Sequence, residues 1–364
     1  CGECGSRNIN VMAIDVVDNR PDQGHELLAQ LTRIVDSDPD IDELGLVLSA
    51  CAGEFGLPAT GPETPFFHEN HKLGIAFWVV PLIMRTALEL IRSVSIGPEL
   101  MNATRAVLLI NPDHYSAWTQ RRRMVESGLI GLLAELRFLN LVFSKHSKSG
   151  EAWAYRRWLL CRSAAVFDSD LIQSELKTCD RICDIYPRNY YAWCHRQWIT
   201  DQAPLALSAR LQESRDWIAM HISDYSACHY RITVIQKLAE RGQFLFRDEF
   251  DAAHYLCTTY PGHESLWYFL KSLWSLARSK LDVFDLEELF DQEMEFSQVC
   301  INDDRSSSFK RQREYAGSYR FWIISNSVPW SPRIREEAVS ICRSMQIWAP
   351  HHSRLWAQHA NNIK

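Results

Sequence analysis

Several cysteine and histidine residues have spacings that occur in metal sites, but each group is incomplete. Cys1 and Cys4 form a C-x-x-C pair, which is half of the four-ligand set that a structural zinc ion requires. His68 and His71 form an H-x-x-H pair with no further ligands at a suitable spacing. The sequence also contains no phosphate-binding loop, dinucleotide-binding glycine cluster or serine-hydrolase motif. We therefore expect this chain by itself to hold no metal ion and to activate no nucleophile.

The strongest pattern is a short cassette in which arginine follows tryptophan by three residues, as in Trp193 and Arg196. It recurs at intervals of 35 to 50 residues, and several copies keep only part of it. The seven anchor positions are Trp118, Trp153, Trp193, Cys228, Trp267, Gly317 and Trp356. A period of this length is typical of a helical hairpin, and such hairpins are stable when they stack on their neighbours. The pattern therefore predicts an all-α fold of about seven helical hairpin repeats.

Each cassette begins with residues that end one helix and start the next. Proline stands six residues before the anchor in four copies, for example Pro187, and it cannot continue a helix. Side chains that can cap a new helix stand four residues before the anchor. They are His114, Ser149, Asn189, Asp224, His263 and His352. We predict that the tryptophans fill the space between helices and that the arginines bind carbonyls or a carboxylate of a neighbouring helix.

The same patterns predict where the repeat array begins and where its loops lie. Residues 1–23 show no helical period and are predicted to be disordered, and residues 24–364 form the repeat array. Residues 50–70 are rich in glycine and proline and are predicted to be a loop. The serine-rich and charged segment around 302–312 is predicted to be a surface loop insert in the longest repeat.

The composition indicates which kinds of partner the protein binds and in which cellular compartment it works. The net charge is -6, which argues against nucleic acid, since phosphate binding needs clustered Lys and Arg. Eleven cysteines without regular pairing distances favour reduced thiols in a cytoplasmic protein. The most apolar stretch, Ile75 to Ile91, contains Pro81, Arg85 and Glu89, so we predict no membrane span.

The segment from Tyr186 to Trp198, which reads YPRNYYAWCHRQW, resembles the repeat of protein prenyltransferase alpha subunits. Further copies of this unit extend the resemblance over roughly residues 100–364. Residues 39–47 and 71–74 are similar to a divergent branch, the alpha subunit of a third geranylgeranyltransferase. The resemblance implies a right-handed α-α superhelix, a TPR-like crescent, wrapped around a separate beta subunit. That partner, expected to be the beta subunit of the Rab geranylgeranyltransferase, would hold the zinc ion and most of the isoprenoid pocket.

The resemblance also implies a role for two residues of the turn before Trp193. Arg188 aligns with a lysine of the family motif and Tyr190 with a tyrosine, both placed near the diphosphate of the lipid. Arg188 keeps the positive charge but differs from lysine in reach and geometry. The implied reaction transfers a geranylgeranyl group from geranylgeranyl diphosphate to a cysteine in the C-terminal region of a protein substrate.

Two alternatives come from other classes of protein. A non-enzymatic helical-repeat scaffold would bind a peptide or protein in its concave face, and association with a beta subunit would distinguish the enzyme from it. An RNA-binding repeat of similar period is disfavoured by the net charge. The protein substrates, the need for an escort protein and the choice between geranylgeranyl and farnesyl remain open at this level.

Overall fold

The computed structural model describes residues 21–48, 64–162, 168–202, 206–303, 308–327 and 332–363. The chain divides into two compact units at residues 164/165. The first unit contains α1 (Pro21–Ser37), β1 (Glu43–Val47), β2 (Phe66–Glu69), β3 (Lys72–Ala76), α2 (Val80–Ser93), α3 (Pro98–Ile110), α4 (Tyr115–Glu126), α5 (Leu132–His146) and α6 (Gly150–Arg162). The second unit contains α7 (Ser169–Ile185), α8 (Tyr190–Gln202), α9 (Leu207–Met220), α10 (Tyr225–Glu240), α11 (Phe246–Thr259), α12 (Glu264–Lys280), α13 (Val283–Asn302), α14 (Ser308–Ser327), α15 (Pro332–Trp348) and α16 (Ser353–Asn362).

The predicted helical hairpins are confirmed. The anchor positions fall in alternate helices, α4, α6, α8, α10, α12, α14 and α16, and each of these helices follows a first helix of its own hairpin. Seven hairpins, from α3–α4 to α15–α16, are therefore present among the described residues. Two of them lie in the first unit and five in the second.

The first unit also contains a small sheet that the repeat pattern does not predict. The strand order is β1-β3-β2, with β1 parallel and β2 antiparallel to β3. Asn70 and His71, with φ of 49° and 61°, form the two-residue turn between β2 and β3, and such turns suit the twist of a hairpin. Leu73 and Ile75 of β3 are buried. The prediction of a loop over 50–70 is thus wrong for β2, and residues 49–63 lie outside the described part.

The tryptophan positions are core residues, as predicted. Trp118, Trp153 and Trp193 are each less than 5% exposed. In the first unit the ring N–H groups of Trp118 and Trp153 donate to backbone carbonyls six residues upstream, at 2.7 and 2.9 Å. The ring N–H of Trp193 instead donates to Asp224 of the next hairpin at 3.2 Å. Each indole thus buries its ring without leaving its one donor unsatisfied.

The arginines of the cassette also act as predicted. In α10, Arg231 donates to both carboxylate oxygens of Glu249 in α11 at 2.6 Å, and to the hydroxyl of Ser214 in α9 at 2.9 Å. In α14, Arg320 donates twice to Oε1 of Glu337 in α15, at 2.6 and 2.9 Å, and to the hydroxyl of Ser297 in α13 at 3.0 Å. Each of these arginines therefore links the second helix of a hairpin to the helices before and after it.

Two predicted boundaries need correction. α1 begins at Pro21, so the prediction of disorder is wrong for residues 21–23, while residues 1–20 lie outside the described part. α13 continues to Asn302 and α14 begins at Ser308. The predicted loop insert around 302–312 is therefore wrong for residues 308–312, and residues 304–307 are not described. This copy of the repeat has no proline six residues before its anchor, so the helix is free to begin earlier.

Candidate functional site

Arg188 lies in the turn between α7 and α8, and the repeat sequence fixes the backbone there. The fully buried Asn189 accepts the backbone N–H groups of Tyr191 and Ala192 at 3.1 and 3.3 Å and caps α8. Arg188 itself has a φ of 61°, a left-handed conformation that a non-glycine residue adopts only when its surroundings hold it there. The cap therefore holds the backbone from which the exposed Arg188 side chain projects.

A cavity of about 590 Å³ opens beside this turn, at the N-terminal ends of α10 and α12. All of the residues that line it belong to the second unit. Its polar side chains include Arg188, Ser223, Tyr225, His263, Glu264 and Arg311. The four turns that begin the second helices of consecutive hairpins thus contribute to one cavity.

Two pairs of these side chains are already bound to each other. The Ser223 hydroxyl and Nδ1 of His263 are 2.9 Å apart. The Tyr225 hydroxyl donates to Oε2 of Glu264 at 2.9 Å. Loss of contact with water, together with the bond to the Glu264 carboxylate, raises the pKa of Tyr225, so the phenol stays protonated at neutral pH.

Arg311 enters the cavity from the first turn of α14. Its neighbour Gln312 is 1% exposed and holds that turn in place. The amide oxygen of Gln312 accepts the N–H of Gly262 at 2.9 Å and the ring N–H of Trp267 at 3.2 Å. Its amide nitrogen donates to the carbonyl of Cys257 at 2.9 Å. These three bonds hold the start of α14 against the turn between α11 and α12, and so position Arg311.

The cavity favours an anion. Neither Arg188 nor Arg311 makes an ion pair or hydrogen bond with any residue that the structure describes. Among the described residues that line the cavity, Glu264 is the only carboxylate, and it already accepts the Tyr225 hydroxyl. Two guanidinium groups that face one cavity with a single carboxylate leave an excess of positive charge. Planar guanidinium groups bind phosphate oxygens well through paired N–H donors.

Tyr190, the second residue implied by the sequence, is the first residue of α8 and is 67% exposed. Its ring packs edge-on against Tyr191, with 5.8 Å between ring centroids. Tyr190 is not among the residues that line the cavity, whereas Arg188 is. Sequence reasoning missed Arg311, although a signal was present: it stands six residues before the anchor Gly317, where four other copies have proline.

The residues singled out as incomplete metal sites do not form one in the described part of the chain. His68 and His71 both bind Asp38, with Nε2 of His68 at 2.8 Å and Nδ1 of His71 at 3.0 Å from its carboxylate. No group of three or more His, Cys, Asp or Glu side chains in the described ranges could hold a metal ion. Cys1 and Cys4 lie outside those ranges. Among the helices described, none is long and apolar enough to cross a membrane.

The sequence matches the family described as "Protein prenyltransferase alpha subunit repeat" over residues 98–128, 132–163, 172–203 and 208–238. These ranges correspond to the four hairpins from α3–α4 to α9–α10. The resemblance given by the YPRNYYAWCHRQW segment is thereby confirmed.

Among curated relatives, protein prenyltransferase alpha subunit repeat-containing protein 1-A of Xenopus laevis is 26% identical over 309 residues, covering 67% of this chain and 70% of the relative. The rat geranylgeranyl transferase type-2 subunit alpha is 27% identical over 199 residues, which is 50% of this chain and 34% of that protein. Among solved structures, a chain of Candida albicans protein geranylgeranyltransferase-I complexed with GGPP aligns with a TM-score of 0.62 at 15% identity. That alignment covers 78% of this chain and 90% of the other, and at this identity it shows a shared fold only.

Proposed function

Because four hairpins of this chain match the protein prenyltransferase alpha subunit repeat, we propose that it is the alpha subunit of a heterodimeric protein geranylgeranyltransferase. The holoenzyme transfers a geranylgeranyl group from geranylgeranyl diphosphate to a cysteine in the C-terminal region of a protein substrate, and works in the cytoplasm. The observation that supports this best is the position of Arg188. The residue aligned with the motif lysine lies at a cavity with excess positive charge, as a diphosphate site requires.

In this proposal the chemistry is divided between two subunits. The described residues of this chain offer no ligand set for a metal, so the zinc ion of the holoenzyme is assigned to the beta subunit and no step is assigned to a metal here. The beta subunit of the Rab geranylgeranyltransferase is the proposed partner. The relative from rat, whose name identifies it as a type-2 alpha subunit, supports that choice.

Arg188 stabilises the leaving group. As the bond between the isoprenoid carbon and the diphosphate oxygen breaks, negative charge accumulates on the diphosphate, and a fixed guanidinium stabilises that charge more than it stabilises the ground state. The capped turn holds the Arg188 backbone before the lipid arrives, so little reorganisation is needed. Tyr190, exposed at the start of the same helix, is proposed to assist near the diphosphate.

The test is a transfer assay with and without the proposed beta subunit. Co-expression should give a stable complex that transfers a radiolabelled geranylgeranyl group, and the isolated chain should transfer none. Arg188→Ala should lower kcat by about 10- to 100-fold, since a hydrogen bond to a charged group contributes about 1.5–3 kcal/mol, without loss of the complex, and Arg188→Lys should keep most of the rate. Lys177→Ala is the matched control, because Lys177 is an exposed cation on α7 of the same hairpin.

Three results would contradict the proposal. Efficient transfer by the isolated chain would show that catalysis does not need a second subunit. Failure to pair with any prenyltransferase beta subunit would favour the non-enzymatic scaffold. Normal turnover by the Arg188→Ala enzyme would make Arg188 a turn residue, and the role of this chain would then be structural.

A further inference from the structure

Arg311 has no role in the proposed reaction, yet it lines the same cavity as Arg188. The two arginines share one feature of the local sequence. Each is an exposed side chain that directly precedes a buried amide residue, Asn189 after Arg188 and Gln312 after Arg311. Each of these amides fixes the backbone beside its arginine through hydrogen bonds.

The positions of the two side chains are therefore set by separate hairpins. Arg188 precedes α8, and Arg311 lies in the first turn of α14. The Gln312 amide joins α14 to the turn before α12 through the backbone N–H of Gly262 and the ring of Trp267. An exposed arginine needs none of this support to remain in solvent, whereas a ligand-binding arginine gains from it, because less side-chain and backbone freedom is lost on binding.

The start of α12 adds a second favourable feature. His263 precedes α12 without capping it through its side chain, whereas Asp224 caps α10 with two hydrogen bonds. His263 and Glu264 both line the cavity, so the uncapped end of a 17-residue helix lies beside the two arginines. The partial positive charge of a helix N-terminus adds to that of the guanidinium groups.

We propose that Arg188 and Arg311, which line this cavity together, bind the two phosphates of one diphosphate group. The proposal rests on the proposed function in taking the lipid diphosphate as the natural source. Arg311 is then a binding residue for the leaving group. The same chemistry would also retain free pyrophosphate after transfer, so the two sources must be distinguished by experiment.

The first measurement is the binding of inorganic pyrophosphate to the full chain by isothermal titration at low salt. Arg311→Ala and Arg188→Ala should each raise the Kd at least 5-fold, and Arg311→Lys should restore part of the affinity. Lys310→Ala is the matched control, because Lys310 is an exposed cation next to Arg311 that does not line the cavity, and it should change the Kd less than 2-fold. Circular dichroism should show equal melting for all variants, since both arginines are exposed.

The second measurement uses the holoenzyme and geranylgeranyl diphosphate. Arg311→Ala should raise the KM for the lipid diphosphate at least 5-fold and leave the KM for the protein substrate unchanged.

If transfer depends on Arg188 but Arg311→Ala behaves like Lys310→Ala in both measurements, the inference about Arg311 is wrong while the proposed function stands. If pyrophosphate binding depends on both arginines but no beta subunit gives transfer, the proposed function fails and free pyrophosphate is the source. If an acidic peptide binds more tightly than pyrophosphate, the cavity is a protein-docking site and the inference is overturned.

Discussion

Replacing Trp193 with alanine tests the central structural claim, that the tryptophan positions of the recurring cassette lie in the core. The Trp193 ring is 4% exposed and lies edge-on against Trp217, with 5.6 Å between centroids, and tilted against Tyr230 at 5.5 Å. A buried indole removes ~200 Å² of surface from water, which corresponds to ~5 kcal/mol at ~25 cal/mol per Å². Since neighbouring side chains relax partly into the cavity, we expect a loss of ~3–5 kcal/mol in the free energy of unfolding.

The hydrogen bond of the indole adds less than its burial. Oδ2 of Asp224 accepts the ring N–H of Trp193 at 3.2 Å, and the same oxygen also accepts the ring N–H of Trp217 at 3.3 Å. Removal of Trp193 therefore leaves this carboxylate with a donor, and only ~1 kcal/mol is lost with the bond. Trp193→Phe, which keeps most of the apolar contact, should accordingly destabilise the protein much less than Trp193→Ala.

The assay is urea unfolding followed by far-ultraviolet circular dichroism. For a slope of ~2–3 kcal/mol per M, a loss of ~4 kcal/mol lowers the midpoint by ~1.3–2 M. Tyr190→Ala is the matched control, because Tyr190 is an aromatic residue on the same helix that is 67% exposed. It should change the stability by less than ~0.5 kcal/mol. An unchanged midpoint for Trp193→Ala, with activity lost, would refute the assignment and place the indole in contact with a ligand.

Three further predictions concern other parts of the chain. Arg231→Met should destabilise the chain by ~3–5 kcal/mol in the same unfolding assay, because it leaves the buried Glu249 without its main partner, and the double variant Arg231→Met/Glu249→Leu should recover much of that loss. Asp38 raises the pKa of His71, and hydrogen bonds to the two hairpin histidines lower the pKa of Asp38 itself. Their contribution to stability is complete between the unfolded-state pKa values of Asp and His. It is lost as the pH rises through the folded pKa of His71 and as the pH falls through that of Asp38. In an NMR titration, Asp38→Asn should move the pKa of His71 down towards 6.5. Burial raises the pKa of the Cys257 thiol well above its usual value, so Cys257 should react with a thiol reagent only after denaturation. Because Cys161 is exposed, the labelled site must be identified by peptide mass spectrometry, and fast labelling of Cys257 in the native chain would contradict its placement in the core.

The repeat pattern determined the hairpins because the signal is local and is repeated. Proline ends a helix, a side chain four residues before the anchor caps the next one, and tryptophan needs a buried site. The caps at Asn189 and Asp224 are formed as predicted, whereas His263 and His352 make no cap hydrogen bond through their side chains. The third histidine, His114, does cap α4, because its Nδ1 accepts the backbone N–H of Ala117 at 3.2 Å. Histidine, the weakest candidate on chemical grounds, therefore caps a helix in one of its three copies.

The small sheet and the lining of the cavity are decided only by the tertiary structure, because the contacts that form them join residues far apart in the chain. The sheet depends on pairing β1 with β3 over more than 20 residues, and such pairing leaves no periodic signal of its own in a helical sequence. The sequence motif singles out Arg188. It does not show that Arg188 and Arg311 line one cavity, because Arg311 stands in a segment whose serines and charges resemble those of a loop. α14 begins in this segment because this copy of the repeat has no proline six residues before its anchor. The buried Gln312 holds the first turn of α14 against Gly262 and Trp267. The sequence by itself determined where most of the second helices begin, α14 being the exception. Packing between hairpins decided which of those helix starts line the same cavity.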